Sequence, residues 1–275
     1  MKIPCSAADN QQPLISVIVP VYRNADTLRE LHRRLSETLD RESLSHEIIF
    51  VDDACPAGSL AVLEDLARRD RRVAALALAR NVGQHRAVLI GLAHARGDWL
   101  VTMDADLQDP PEAIPDLLRK IREGYAAVFA GRRGKYESAT RLITSRLFKR
   151  LLHVLGGVPI DAGLFVMMSR QMAQRVLSLR APRPFVVAMI GSTGLPLASI
   201  PVERSTRPGG RSAYTAWDRL KAGSLAIAWT LVWRLRRGQT MAQPAWGEAP
   251  IRAHVGVRFT SVEPASVSAD SPSTL

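Results

Sequence analysis

Short apolar runs of strand length alternate with amphipathic segments of helix length through the first half of the chain. Leu14 to Val21, Glu47 to Asp52, Val73 to Ala79, Asp98 to Met103 and Ala126 to Gly131 are apolar runs bounded by turn residues, and they predict strands. Between them, Ala25 to Leu39, Ser59 to Arg69, Gln84 to Ala95 and Pro111 to Glu123 repeat apolar residues at helical spacing. This alternation predicts an α/β fold, a mostly parallel sheet with helices on both faces. Pro20-Val21-Tyr22-Arg23-Asn24 follows the first strand where a dinucleotide-binding fold would carry Gly-x-Gly-x-x-Gly. That argues against NAD.

The second half changes character. Ser138 to Leu155 predicts a basic amphipathic helix, with Arg141, Arg146, Lys149 and Arg150 beside Leu147, Phe148, Leu151 and Leu152. Strands are expected near Leu164 to Met168 and Pro196 to Glu203, and helices near Ser169 to Ser178 and Pro184 to Ile190. A C-terminal amphipathic helix is expected over 216–236, with Trp217, Trp229 and Trp233. After Gly238 the composition drifts to Ala, Pro, Ser and Val without periodicity. The expected organisation is therefore one catalytic domain over 1–236, with its core at 14–215, and a disordered tail over 237–275.

The stretch Trp99 to Glu112, Trp-Leu-Val-Thr-Met-Asp-Ala-Asp-Leu-Gln-Asp-Pro-Pro-Glu, carries the strongest chemical signal. An apolar run ends in Asp104 and Asp106, which would point the same way on an extended backbone. Two adjacent carboxylates repel, and a divalent cation between them removes the conflict. Hard oxygen ligands suit Mg²⁺ or Mn²⁺. Gln108 adds an amide oxygen two residues on, and Pro110 and Pro111 stop the strand. The plain alternative is a solvated acidic loop. At the C-terminal end of a buried strand, where open α/β sheets bind ligands, the balance turns toward metal.

Asp52 and Asp53 end the second predicted strand at the same rim, where a carboxylate can accept from a nucleobase imide or ribose hydroxyls. Asp53 capping the next helix is the competing reading. Tyr22 and the Gly turn of Arg80-Asn81-Val82-Gly83-Gln84 also fall at strand ends. Together these residues describe a nucleotide–metal pocket.

Charge sharpens the picture. The 275 residues carry a formal net charge of +11, which favours a polyanionic partner: nucleic acid, anionic lipid or a phosphorylated substrate. Only 5% aromatic residues and the gathered carboxylates weigh against nucleic acid. Two cysteines, Cys5 and Cys55, make neither a disulfide framework nor a metal spacing. The N-terminal residues lack the apolar core of a signal peptide, and no segment reaches the apolar length of a membrane span. Trp229 and Trp233, four apart and followed by Arg234, Arg236 and Arg237, suit a helix lying in the headgroup layer. The alternative is that both tryptophans pack on the sheet or on a partner. The expectation is a cytoplasmic protein held peripherally on the inner face of an anionic membrane.

Pro20-Val21-Tyr22, Val51-Asp52-Asp53-Ala54, Arg80 to Gln84 and Met103 to Glu112 resemble the inverting family-2 glycosyltransferases of nucleotide-sugar-binding (GT-A) fold. The resemblance covers about residues 14 to 236 and is strongest to the polyprenyl-phosphate, dolichol-phosphate mannose synthase-like branch. It implies that Asp104, Asp106 and Gln108 hold the metal against a donor diphosphate. It implies that Pro20, Tyr22, Asp52, Asp53 and Gln84 line the nucleotide-sugar. Arg133, Arg141, Ser145 and Arg207 would receive the phosphate of a polyprenyl (undecaprenyl) acceptor, although Arg207 also reads as an exposed basic turn. The implied reaction is metal-dependent inverting transfer of the sugar to that lipid phosphate. A saccharide hydroxyl acceptor would instead need a base, with Asp161 the candidate and Asp109 the second. A non-catalytic nucleotide-sugar-binding relative is the other alternative. Arg23, Leu164, Val166 and Ala213 depart from residues common in the family.

Overall fold

A computed structural model describes residues 14–133, 150–179, 183–205, 232 and 251–256. Strands β1 (Ile15–Val21), β2 (His46–Asp52), β3 (Val73–Leu78) and β4 (Trp99–Thr102) are parallel neighbours in the order β3-β2-β1-β4. They alternate with helices α1 (Leu28–Arg41), α2 (Ser59–Arg69) and α3 (Gln84–His94). A 3₁₀ turn over Pro111–Ala113 leads into α4 (Ile114–Ile121), and β5 (Ala127–Arg133) follows. β6 (Val166–Ser169) inserts antiparallel between β4 and β5, and β7 (Leu197–Glu203) runs parallel to β5 at the edge. Two further helices are α5 (Arg170–Ser178) and α6 (Val186–Ser192), and residues 150–156 are also helical. The α/β class and the mostly parallel sheet are as expected.

The core lies in two layers. On β1, Ile15, Val17, Val19 and Val21 face one way and pack with Leu28, Leu31, Leu35 and Leu39 of α1, Leu63 of α2 and Leu117 of α4. Ile18 faces the other way, against Val88 of α3, with Val176 of α5 and Met189 of α6 in the same layer. Strands covered on both faces are apolar at consecutive positions, which is why their runs stand out in the sequence. Gly91 of α3 sits against Ile18, and a Cβ there would strike that side chain. The small residue therefore sets how closely α3 approaches the sheet.

Two expectations need correction. Residues 251–256, assigned to a disordered tail, form β8 (Ile251–Gly256), antiparallel to β3 at the sheet edge. Ile251, Ala253 and Val255 are partly covered while Arg252, His254 and Gly256 are exposed. That period of two is short and flanked by Ala, Pro and Ser, so composition masked it. Asp104 and Asp106 are also not presented by an extended strand, because β4 ends at Thr102 and the loop bends to a positive φ of 60° at Leu107. Of the amphipathic segment 216–236 only Val232 is described, and it is helical.

Strand direction positions the site. β1, β2, β3, β4, β5 and β7 all point their C-terminal ends to one rim, and β6 begins there. The connection from β1 goes to β2 on one side, while β4 joins β1 on the other. This is a topological switch point, the place where open α/β sheets form a ligand crevice.

Candidate active site

The loop after β4 is braced from several directions. Thr27, just before α1, donates its hydroxyl to the Ala105 carbonyl at 2.6 Å and to the Asn24 carbonyl at 3.0 Å. α1 starts at Leu28 rather than Ala25, after a turn closed by the Thr27 N–H donating to the Asn24 carbonyl at 3.1 Å. Arg34 of α1 grips Glu112 with two bonds of 2.9 and 2.6 Å. Asp106 Oδ1 accepts from the Gln108 backbone N–H at 3.1 Å, turning the chain locally. Gln84, at the start of α3, donates Nε2 to Asp104 Oδ1 at 2.5 Å. Arg204 comes from beyond β7, with Nη2 3.7 Å from Asp104 Oδ2.

This donor set fits a hard divalent ion. Burial alone would pull the Arg204 guanidinium down, yet Asp109, Asp104 and Asp106 together hold it above its ordinary value. The loop is thus a place that already attracts positive charge. Among the described residues no group of three or more His, Cys, Asp or Glu side chains could hold a metal. Two carboxylates, completed by water and substrate phosphate, are the pattern Mg²⁺ commonly uses.

Asp52 and Asp53 separate into different roles. Asp53 Oδ1 and Oδ2 accept the backbone N–H groups of Val82 and Gly83 at 2.6 and 2.9 Å. Asn81 donates to the Asp53 carbonyl at 3.2 Å. Asp53 therefore anchors the loop before α3, rather than capping α2. Asp52 is 4% exposed, and its Oδ1 has no hydrogen-bond partner. Burial pushes its carboxyl up to about 6, against a hydrogen bond from the Cys55 backbone, with the Asp53 charge adding to the rise. A buried acceptor lacking its donor is costly, and a nucleobase imide N–H would complete it.

The rest of the pocket wall follows from β1. Pro20 lies within β1, pairing with Val51, and Tyr22 is 37% exposed with the Arg23 guanidinium 5.3 Å from its ring centroid. Cys55 Sγ accepts from the Arg23 N–H and the Ser59 hydroxyl, each at 3.0 Å, joining the loops after β1 and β2. Arg23, Ala54 and Leu107, three of the four described non-glycine residues with positive φ, all lie at this rim. Such strain concentrates where a site over-determines the backbone.

The other sequence candidates are distributed unevenly. Asp161 packs on Gly131 of β5, where a Cβ would collide with its carboxylate, and accepts from the Ser199 hydroxyl at 3.3 Å. It stands at β5 and β7, with β6 between it and the loop of Asp104. Asp109 is 2% exposed and bonded to Arg204 Nε at 2.6 Å, so it holds an arginine rather than facing an acceptor as a base. Arg133 ends β5 in register with Glu203. Arg141, Ser145 and Arg207 lie outside the described residues. The sequence marks Arg204 only as part of a basic loop with Arg207 and Arg211, and gives neither Arg204 nor Thr27 a role in the site. Their partners lie 95 and 78 residues away along the chain, and no local pattern announces such contacts.

A rim of six strand ends with paired carboxylates beyond β4 defines a GT-A-type nucleotide-sugar fold. Mannosyltransferase PcManGT from Pyrobaculum calidifontis, solved with GDP-mannose and Mn²⁺, superposes with a TM-score of 0.59 at 20% identity, over 85% of this chain and 67% of that one. Glucosyl-3-phosphoglycerate synthase from Mycobacterium tuberculosis, solved with Mn²⁺, UDP and phosphoglyceric acid, gives 0.59 at 22% identity, over 85% and 82%. Residues 16–177 match glycosyl transferase family 2, and the chain belongs to that family. It is 33% identical over 209 residues to the glycosyltransferase YkcC of Bacillus subtilis (strain 168), covering 75% of this chain and 65% of that protein. It is 34% identical over 203 residues to undecaprenyl-phosphate 4-deoxy-4-formamido-L-arabinose transferase of Shewanella sediminis (strain HAW-EB3), covering 73% and 61%. The chain thus spans less than two thirds of the length of these relatives.

Proposed function

We propose that this family-2 chain transfers a sugar from a nucleotide-diphosphate sugar to a polyprenyl phosphate, with a divalent ion at Asp104 and Asp106. The observation that carries the reading is the convergence of two features on one rim. These are the buried, donor-seeking Asp52 and the braced carboxylate loop that already draws in a guanidinium. The relatives named for undecaprenyl-phosphate transfer support the acceptor class.

In this reading Asp52 accepts from the nucleobase, Tyr22 flanks it, and Asp53 keeps the Val82–Gly83 turn in place. Asp104, Asp106 and Gln108 hold Mg²⁺ or Mn²⁺, which when bound supplies Lewis-acid stabilisation of the departing diphosphate. Gln84 fixes the Asp104 carboxylate so that its second oxygen is presented without rearrangement, and Thr27 fixes the backbone of the same loop. Fixed groups cost no reorganisation when charge develops. A lipid phosphate is already anionic at neutral pH, so its oxygen attacks the anomeric carbon without a strong general base. Positioning and cationic stabilisation then suffice, which suits Arg133, Arg141, Ser145 and Arg207 as acceptor ligands. Among the described residues no helix is long and apolar enough to cross a membrane. The reading places the protein peripherally on the inner membrane face, reached through the tryptophan- and arginine-bearing segment 216–236.

A panel of nucleotide-sugars, assayed with Mn²⁺ and with or without a short polyprenyl phosphate, tests the assignment. Transfer that needs the lipid phosphate is expected. Transfer only to a saccharide hydroxyl, or donor binding without turnover, would overturn it. Sedimentation with anionic vesicles at low salt tests the location, and a protein left in the supernatant would contradict it.

A further inference from the structure

Arg204 leaves the end of β7 and reaches back across the rim to the loop after β4. Its Nε donates to Asp109 Oδ1 at 2.6 Å, while Nη2 lies 3.7 Å from Asp104 Oδ2. Its side chain is 13% exposed and that of Asp109 only 3%. The other Asp109 oxygen is buried without a hydrogen-bond partner, so Arg204 carries the compensation of that buried charge. One residue on, the Ser205 N–H donates to the Gln108 carbonyl at 3.0 Å. The backbone leaving β7 is thus fastened to the carboxylate loop at two successive positions.

This arrangement has an electrostatic consequence. A bare divalent ion approaching Asp104 meets a fixed positive charge facing the same carboxylate oxygen. A metal–diphosphate complex brings phosphate oxygens with the metal. It is net negative for pyrophosphate or a nucleoside diphosphate and neutral for a nucleotide-sugar, so it escapes the repulsion a bare ion meets and offers that cation oxygens to bind. From this geometry we infer that Arg204, held by Asp109, is a positioning residue that makes the site select a metal–diphosphate complex over the bare metal ion. The inference rests on the metal site proposed above. A single unit charge beside the ion, at the effective dielectric of a partly buried site and with salt present, changes affinity on the order of tenfold.

The test compares dissociation constants for Mn²⁺ alone and for preformed Mn²⁺–pyrophosphate, by calorimetry on the full chain. Arg204→Met should bind Mn²⁺ alone about tenfold more tightly and the complex about tenfold more weakly, since removing one charge acts oppositely on the two probes. Arg204→Lys keeps the charge and should preserve the ratio of the two constants to within about threefold. If the buried, unpaired Asp109 stops Arg204→Met from folding, Arg204→Met with Asp109→Asn removes both charges. The preference for the complex, which falls about a hundredfold in Arg204→Met, should fall about tenfold there, because the cation nearer the site is lost together with the opposing Asp109 charge. A merely structural arginine would weaken both probes in parallel. An unchanged ratio in Arg204→Met, or in its combination with Asp109→Asn, with Asp104→Asn losing Mn²⁺, overturns this inference and leaves the metal site standing. If Asp104→Asn binds Mn²⁺ like the wild type, the metal site and this inference fall together.

Discussion

Asp52→Asn isolates the feature on which nucleoside recognition depends. Burial raises the Asp52 carboxyl from an ordinary value of 3.8 to about 6 in the folded protein. A carboxyl raised on folding binds its proton more tightly in the native state. Its contribution to stability is therefore full below about pH 4 and is lost as the pH climbs through about 6. The difference of about two pKa units corresponds to about 3 kcal/mol in total, of which about 2 kcal/mol falls between pH 4.5 and 7.5. Asparagine keeps the shape and does not ionise in this range. The stability of Asp52→Asn relative to wild type should thus rise by about 2 kcal/mol between pH 4.5 and 7.5, measured by urea unfolding at each pH. The same variant should bind nucleoside diphosphate at least about tenfold more weakly at pH 7.5, having lost a charged acceptor for the base. A stability difference that stays flat across this range would show that Asp52 is solvated as an ordinary carboxylate, and the argument from its missing donor would fail.

Other expectations follow from the same geometry. Asp104→Asn and Asp106→Asn should each abolish transfer and weaken Mn²⁺ binding while leaving thermal melting within a few degrees of wild type, and wild-type turnover at saturating Mn²⁺ would remove the ligand assignment. Gly131→Ala places a Cβ into the Asp161 carboxylate, so it should displace Asp161; calorimetry should show donor binding little changed, and an unaltered Asp161 in a crystal structure of the variant would contradict this. Glu47 is 2% exposed and accepts from the Ser16 hydroxyl and the Arg96 backbone and side chain. Glu47→Ala should cost about 1–3 kcal/mol in urea unfolding, since it leaves the buried Ser16 hydroxyl and the Arg96 backbone N–H without their acceptor while the half-exposed Arg96 guanidinium turns to water, and a loss under about 0.5 kcal/mol would refute that role.

Much of this fold is legible in the sequence because its central strands are covered on both faces. Ile15–Val21, His46–Asp52 and Val73–Leu78 are buried at every position, and such runs announce themselves without reference to the rest of the chain. The rim positions of Asp52, Asp53 and Asp104 follow from the same pattern, since each sits at or just past the end of a run, and Gln84 opens the helical segment that follows β3. What the pattern does not carry is which carboxylate does what. Asp53 is taken up by the Val82 and Gly83 backbone, and only the three-dimensional turn reveals it. Arg204 becomes part of the carboxylate loop because β6 inserts antiparallel and brings β5 and β7 to the same rim, a pairing no local propensity specifies. β8 escaped notice because its alternation lasts six residues inside a composition typical of disordered chain.

Phosphorus NMR of undecaprenyl phosphate incubated with Mg²⁺ and a panel of nucleotide-sugars reads the central claim directly. With the accepted donor, the phosphomonoester resonance of the lipid should convert to a phosphodiester, with equimolar nucleoside diphosphate released. Conversion should stop with EDTA and with Asp104→Asn. A phosphomonoester that persists with every donor, or conversion that continues without a divalent ion, would contradict the account.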